Sequence, residues 1–230
     1  LKGTSARRHA AAPAARRRVP RHAAVAATYA RIATRFDARR TRSLFERGWL
    51  ERFLAALPDE PQVLDLGCGA GEPIARYLID RGCRLTGVDV APLMIARCRR
   101  RFPAHAWRVG DMRDLALARR FDGLVAWDSF FHLHPRGQRR AVAAFARHAR
   151  PGAALLFTSG PAAGEAIGRA ADAPIYHASL EPADYRALLA RHGFEVVAHT
   201  PNDPTCDYHT VWLARRVDGA SEPAHDPASF

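Results

Sequence analysis

Apolar and polar positions follow two alternating periods along most of this 230-residue chain. From Val25 to about Leu57 the pattern predicts two helices, with Leu44, Phe45, Trp49, Leu50, Phe53, Leu54 and Leu57 at helical spacing on one buried face. Pro58-Asp59-Glu60-Pro61 interrupts it. Short apolar runs then alternate with helical patterns. Strands are expected at 62–66, 84–88, 106–109, 122–127 and 153–158, and helices near 72–81, 92–101 and 136–148. Such alternation predicts βαβ crossovers and a Rossmann-like, doubly wound α/β sheet, covered on both faces. Ser159 to Ser179 shows no strong period and reads as an irregular insertion, suited to a substrate-binding loop or lid. A helix at 181–192 is stopped by Gly193, and strands at 194–197 and 209–213 follow. The loop 200–208 is too short for a crossover helix, so these two strands should pair antiparallel. No internal repeat is visible.

The most informative stretch is Val63-Leu64-Asp65-Leu66-Gly67-Cys68-Gly69-Ala70-Gly71. A strand ends in an acid and runs into three glycines, and a helix follows. Glycine lets backbone N–H groups approach a ligand closely, and the next helix points its free N–H donors at the same place. The result is a socket for a nucleotide-like ligand at the carboxyl edge of a sheet. A dinucleotide fingerprint needs Gly-x-Gly-x-x-Gly, and Glu72 stands where its third glycine would be; no Gly-Lys-Ser/Thr follows to make a P-loop. Asp89 ends the second strand about twenty residues on, where a ribose-binding acid belongs. Pro92 suits the first turn of the next helix, and Ala91 is a poor cap for it, which leaves Asp89 for a ligand. After the third strand come Gly110, Asp111 and Met112, and the fourth strand runs through Trp127 into Asp128-Ser129-Phe130-Phe131-His132.

These four pieces, in this order and spacing, resemble the class I S-adenosylmethionine-dependent methyltransferases from roughly Tyr29 to Arg215. The resemblance implies a seven-stranded, mostly parallel sheet with one antiparallel strand near the C-terminus, and S-adenosylmethionine as cofactor. It implies Gly67, Gly69 and Gly71 around the methionine part, Asp89 on the ribose, and Asp111 with Met112 at the adenine. Tyr29 resembles the N-terminal helix that caps the cofactor in small-molecule members. Asp65, Cys68, Val90, Trp127 and Asp128 complete the expected cofactor set.

In-line transfer from a sulfonium needs a base only where the nucleophile must lose a proton. His132, Tyr176 and His177 are the candidates, with His134 expected to cap a helix instead. Asp128-Ser129-Phe130-Phe131 lacks both prolines of the Asn/Asp-Pro-Pro-Tyr/Phe pattern of nucleic-acid amino methyltransferases. No carboxylate trio or zinc spacing points to a metal. A small-molecule acceptor is therefore expected. Three other readings stay open: an RNA or protein methyltransferase, a non-catalytic S-adenosylmethionine-binding module, and a nicotinamide oxidoreductase, the last opposed by Glu72.

Charge changes the picture only at the N-terminus. The chain carries +12, and residues 1–42 hold twelve Lys/Arg against Asp37 alone, leaving 23 against 22 elsewhere. A nearly neutral body argues against a broad nucleic-acid surface. Residues 1–24 are expected to form a disordered basic tail, residues 25–218 the methyltransferase domain and residues 219–230 a second tail. The first tail reads as an extended translation start, then as a polyanion-binding arm through which nucleic acid would dock, then as a presequence. Cys68, Cys83, Cys98 and Cys206 form no CxxC pair, and reduced thiols in the cytoplasm are expected. No apolar run reaches membrane-spanning length, and no secretory leader is recognisable.

Overall fold

The computed structural model describes residues 24–217; the expected tails 1–24 and 219–230 lie almost wholly outside them. The chain begins with α1 (Val25–Arg39) and α2 (Arg47–Leu54). Then β1 (Gln62–Leu66), α3 (Ile74–Asp80), β2 (Arg84–Asp89), α4 (Pro92–Arg101) and β3 (Ala106–Val109) follow. The second half runs β4 (Phe121–Ala126), α5 (Pro135–His148), β5 (Ala149–Ser159), β6 (Gly164–Ala170), β7 (Ala173–Ser179), α6 (Pro182–Arg191), β8 (Phe194–Asp203) and β9 (His209–Arg216).

Seven strands make one sheet in the order β3-β2-β1-β4-β5-β9-β8. Pairing is parallel from β3 to β5, and β9 is antiparallel to both neighbours, as the resemblance implies. Both faces are buried, so strand residues alternate between two cores. Leu64, Leu66, Leu124, Ala126, Leu155 and Phe157 pack with α5 and α6. Val63, Leu85, Val125, Leu156, Val211 and Leu213 pack with α2, α3 and α4. That double burial is why these strands read as continuous apolar runs rather than half-polar ones.

The chain crosses from β1 out to β3 and returns to place β4 on β1's other side. A crevice therefore opens beyond the carboxyl ends of β1 and β4, where an open α/β sheet binds its ligands.

The stretch 159–179 departs from expectation. It is not an irregular insertion but the end of β5 followed by a β6–β7 hairpin outside the main sheet. Ala171 and Asp172, both at positive φ (43° and 66°), make its two-residue turn. Paired positive φ is the geometry that suits hairpin twist, but Ala-Asp is not the Asn-Gly signal by which such a turn is recognised. β6 is mostly exposed and carries two glycines, so it shows no alternation either. The hairpin packs Ala170, Ala173 and Ile175 against Ile32, Tyr29 and Phe36 of α1.

Among the described residues no helix is long and apolar enough to cross a membrane, and the four cysteines are unpaired and buried.

Candidate functional site

β1 delivers Asp65 and the loop after it to the crevice. Gly67 (φ 78°) and Gly69 (φ 53°) are left-handed for different reasons. A Cβ on Gly67 would sit 2.2 Å from Ser129 Cβ, because Ser129 Oγ donates to Leu66 O at 2.6 Å and ties the chain after β4 to the end of β1. A Cβ on Gly69 would meet nothing within 4 Å, so that space faces the cavity. Gly71 does not line the cavity and packs against Phe102 instead.

The cavity has a volume of about 170 Å³. Its lining brings together Tyr29, Asp65, Gly67, Cys68, Gly69, Asp89, Val90, Asp111, Met112, Trp127, Asp128 and His132, from five elements and their following loops. Asp65 is 4% exposed and makes no hydrogen bond or ion pair with a described residue. Burial, with Asp89 nearby, pushes its carboxyl up to about 7. Asp89 is raised too, mainly by burial, although its Oδ2 accepts from Gly69 N (3.0 Å) and its Oδ1 from Ala91 N (2.8 Å). Asp89 thus braces both the glycine loop and the start of α4, and each oxygen keeps a lone pair for a ligand. Trp127 Nε1 is buried at the wall without a partner among the described residues. Asp111 is held by Arg113, whose hydrogen bonds outweigh burial and lower its pKa.

One side of the cavity is closed by α1, which packs Ala33 with Ala70 and Met94. Asp37 anchors the helix by accepting from Arg101 (2.7 Å) and Arg97 (3.0 Å) on α4. The Arg101 hydrogen bond lowers its pKa against the pull of burial. Tyr29 on α1 reaches His132 Nε2 with its hydroxyl at 2.9 Å. His132 Nδ1 lies 3.0 Å from the carbonyl of Tyr176. A carbonyl only accepts, so Nδ1 carries the proton, Nε2 accepts, and the tyrosine hydroxyl donates. Burial pushes His132 down to about 4 and holds it neutral. Tyr176 therefore meets the site through its carbonyl, while its side chain lines neither cavity and interacts with Glu165.

Beyond Asp128 lies a cluster that sequence reasoning missed. Asp128, itself left-handed (φ 47°), accepts from Arg40 at 3.1 Å and lies 2.9 Å from His209 Nε2. Arg40 also donates to Glu46, which is fully buried. His209 Nδ1 faces the Cys206 carbonyl at 2.9 Å. Both ring nitrogens face acceptors, which favours the imidazolium: burial opposes that charge, but Asp128 overcomes it and raises the pKa above 6.5. No local signal marks His209, 81 residues from its partner and brought near it by the pairing of β9 with β5 and β8. The raised pKa makes this ion pair fully stabilising below about pH 6.5, with the contribution lost as pH rises through the folded pKa. His209→Gln should therefore lower the urea midpoint at pH 6 more than at pH 9. Equal losses at both pH values would rule out the charged pair.

The second cavity, about 410 Å³, adjoins the first on the hairpin side and includes Phe131, His177 and His209 in its wall. His177 packs at 4.9 Å between ring centroids on both Phe131 and His132. His134 caps α5, its Nδ1 accepting from Arg136 N at 3.3 Å.

Residues 63–152 match the family model of a methyltransferase domain. The chain is 32% identical to the malonyl-[acyl-carrier protein] O-methyltransferase of Enterobacter lignolyticus, over 59% of this chain and 53% of that one. It is 31% identical to the dTDP-3-amino-3,4,6-trideoxy-alpha-D-glucopyranose N,N-dimethyltransferase of Streptomyces venezuelae, over 43% and 42%. It spans about half the length of these curated relatives. In fold it is similar to an S-adenosylmethionine-bound amino pentose methyltransferase of Micromonospora echinaspora (TM-score 0.63, 22% identity, 81% of this chain and 96% of that one). The CcbJ methyltransferase of Streptomyces caelestis is similar too (TM-score 0.66, 19% identity, 81% and 96%). The matched segment and the sheet built around it make this chain similar, in sequence over residues 63–152 and in fold over most of the described residues, to S-adenosylmethionine-dependent methyltransferases.

Proposed function

We propose that the chain is an S-adenosylmethionine-dependent methyltransferase that acts on a small-molecule acceptor and releases S-adenosylhomocysteine. The observation that carries this reading is the pair of the buried Asp65 and the half-buried Asp89, neither with a cationic side chain upon it among the described residues, beside the open space at Gly69. Two such acids suit a ligand bearing an ammonium group and ribose hydroxyls. Asp65, beside the glycine loop, repels a diphosphate seated there, which argues against a nicotinamide dinucleotide independently of the glycine spacing. Relatives acting on a malonyl carboxyl and on sugar amines support a small or carrier-borne acceptor. The unpaired buried cysteines suit a cytoplasmic location, and 25–218 is taken as the domain.

Bound S-adenosylmethionine supplies a methyl group on a sulfonium, and the protein supplies position and dryness. Asp65 and Asp89 would hold the ammonium and ribose ends, and Asp111, Met112 and Val90, which line the same cavity, would flank the ring. α1 shuts out water from above. His132, with Nε2 already filled by the Tyr29 hydroxyl, orients that tyrosine and is not a free base.

Thermal unfolding with separate ligands tests this. At a hundredfold excess over Kd, S-adenosylmethionine and S-adenosylhomocysteine should each stabilise the chain by about 2.7 kcal/mol. That raises Tm by a few degrees, and NAD should do nothing. A shift with NAD alone would overturn the reading.

A further inference from the structure

The two cavities are separated by pairs of side chains in contact, one from each lining. His132 belongs to the first and His177 to the second, with their rings 4.9 Å apart. Asp128 belongs to the first and His209 to the second, hydrogen-bonded at 2.9 Å. With both pairs closed the cavities are separate, so the reacting group of an acceptor seated in the second must part His177 from His132 to reach the methyl.

The charge of the second cavity is one-sided. Among the described residues no Lys or Arg lines it, and Glu165 and Asp207 do. Its one cation, His209, is already committed to Asp128 and the Cys206 carbonyl. Glu165 has His134 Nε2 at 3.8 Å as a neighbour, yet its side chain is 56% exposed. A carboxylate placed here would face two carboxylates with no free counter-charge, and an ammonium would find two partners. Asn202 and the exposed Tyr208 ring add hydrogen-bonding and stacking surface suited to a polar ring.

His177 points the same way. Its ring makes no hydrogen bond with a described residue, and burial holds it neutral near pH 7. A carboxylate attacks a methyl group without losing a proton, so it needs no base. An ammonium must first give one up.

We propose that the second cavity is the acceptor site and that it selects an amine-bearing polar molecule over a carboxylate. This rests on the methyltransferase reading above. The ammonium passes one proton to a His177 ring nitrogen and becomes a neutral amine. Its nitrogen lone pair then forms the N–C bond to the transferred methyl as the C–S bond breaks, and the bond's electron pair stays on sulfur. The methylated product departs as an ammonium, and His177 returns its proton to solvent.

The test uses the full chain saturated with S-adenosylhomocysteine, whose binding is first measured by calorimetry. Glucosamine and glucuronate, sugar rings differing in charge, are then titrated while ligand binding is followed by calorimetry. Glucosamine should bind roughly tenfold more tightly than glucuronate, the effect of two carboxylates partly screened by water. The double variant Glu165→Gln/Asp207→Asn should erase that preference and keep S-adenosylhomocysteine affinity. Asn tolerates the left-handed backbone of Asp207 (φ 49°), so the fold is retained. Equal or tighter glucuronate binding, binding of neither sugar at millimolar concentration, or a preference that survives the double variant overturns the proposal while leaving the cofactor reading intact. Failure of S-adenosylhomocysteine to bind overturns both.

Discussion

Asp65→Asn should bind S-adenosylmethionine roughly a hundredfold more weakly than the parent chain, as expected when one partner of a buried charge pair is removed. At pH 8 it should also be the more stable protein. The Asp65 carboxyl moves from 3.8 to about 7 on folding, chiefly by burial. A carboxyl raised in the folded state binds more protons there than in the unfolded chain between those two values. Stability therefore falls as pH climbs from about 4 to about 7, and the penalty is complete above that. Three pH units correspond to roughly 4 kcal/mol, an upper figure for this group. The neutral asparagine carries no such penalty. Urea unfolding should show the variant ahead at pH 8 and level with the parent near pH 4. The ligand has the opposite dependence, because a cation on Asp65 needs it ionised: affinity in the parent should strengthen as pH rises through 7. A variant that is less stable at pH 8, or that keeps its affinity, would mean that Asp65 is a structural acid. The expected trade of stability for binding is the usual cost of a preorganised charged site.

Gly67→Ala and Gly69→Ala should fail in different ways although both glycines are left-handed. At Gly67 the new methyl collides with Ser129 Cβ, and Ser129 cannot retreat without releasing Leu66 O. Overpacking and backbone strain together should cost about 3 kcal/mol or more. At Gly69 the methyl enters open space, so only the left-handed backbone is penalised, by about 1–2 kcal/mol. That variant should remain folded and lose the S-adenosylmethionine-induced Tm shift, because the methyl occupies the space in which the ligand is read. Circular dichroism melts with and without ligand separate the two cases. A folded Gly69→Ala that still responds fully to ligand would show that the open space lies outside the binding region.

The succession of strands and helices along the chain and the acid-bearing strand ends were legible because each is a local property, and the parallel character of the sheet followed from that alternation. A strand buried on both faces must be apolar throughout, and Val63-Leu64 and Leu124-Val125-Ala126 are. A turn of left-handed residues selects glycine, and the loop after β1 has it. Asp65 and Asp89 were visible as acids at strand ends that apolar patterning alone would not place there. The β6–β7 hairpin was not legible. Its turn uses Ala171-Asp172 in a conformation other residues signal better, and β6 has too little buried face to alternate.

What the sequence by itself determined is the frame: an alternating α/β chain, a glycine-rich loop between two carboxylates, and the likeness that follows from them. Only the tertiary structure decided what those groups do to each other. It gave Asp65 no counter-charge, filled His132 Nε2 with the Tyr29 hydroxyl, turned Tyr176 to the site by its carbonyl alone, and brought His209 from the reversed strand to Asp128. The reason is physical. Hydrophobic periodicity and backbone preference act between near neighbours in sequence. Charge, desolvation and hydrogen-bond direction act through a few ångströms of space, and folding alone decides which distant residues share them.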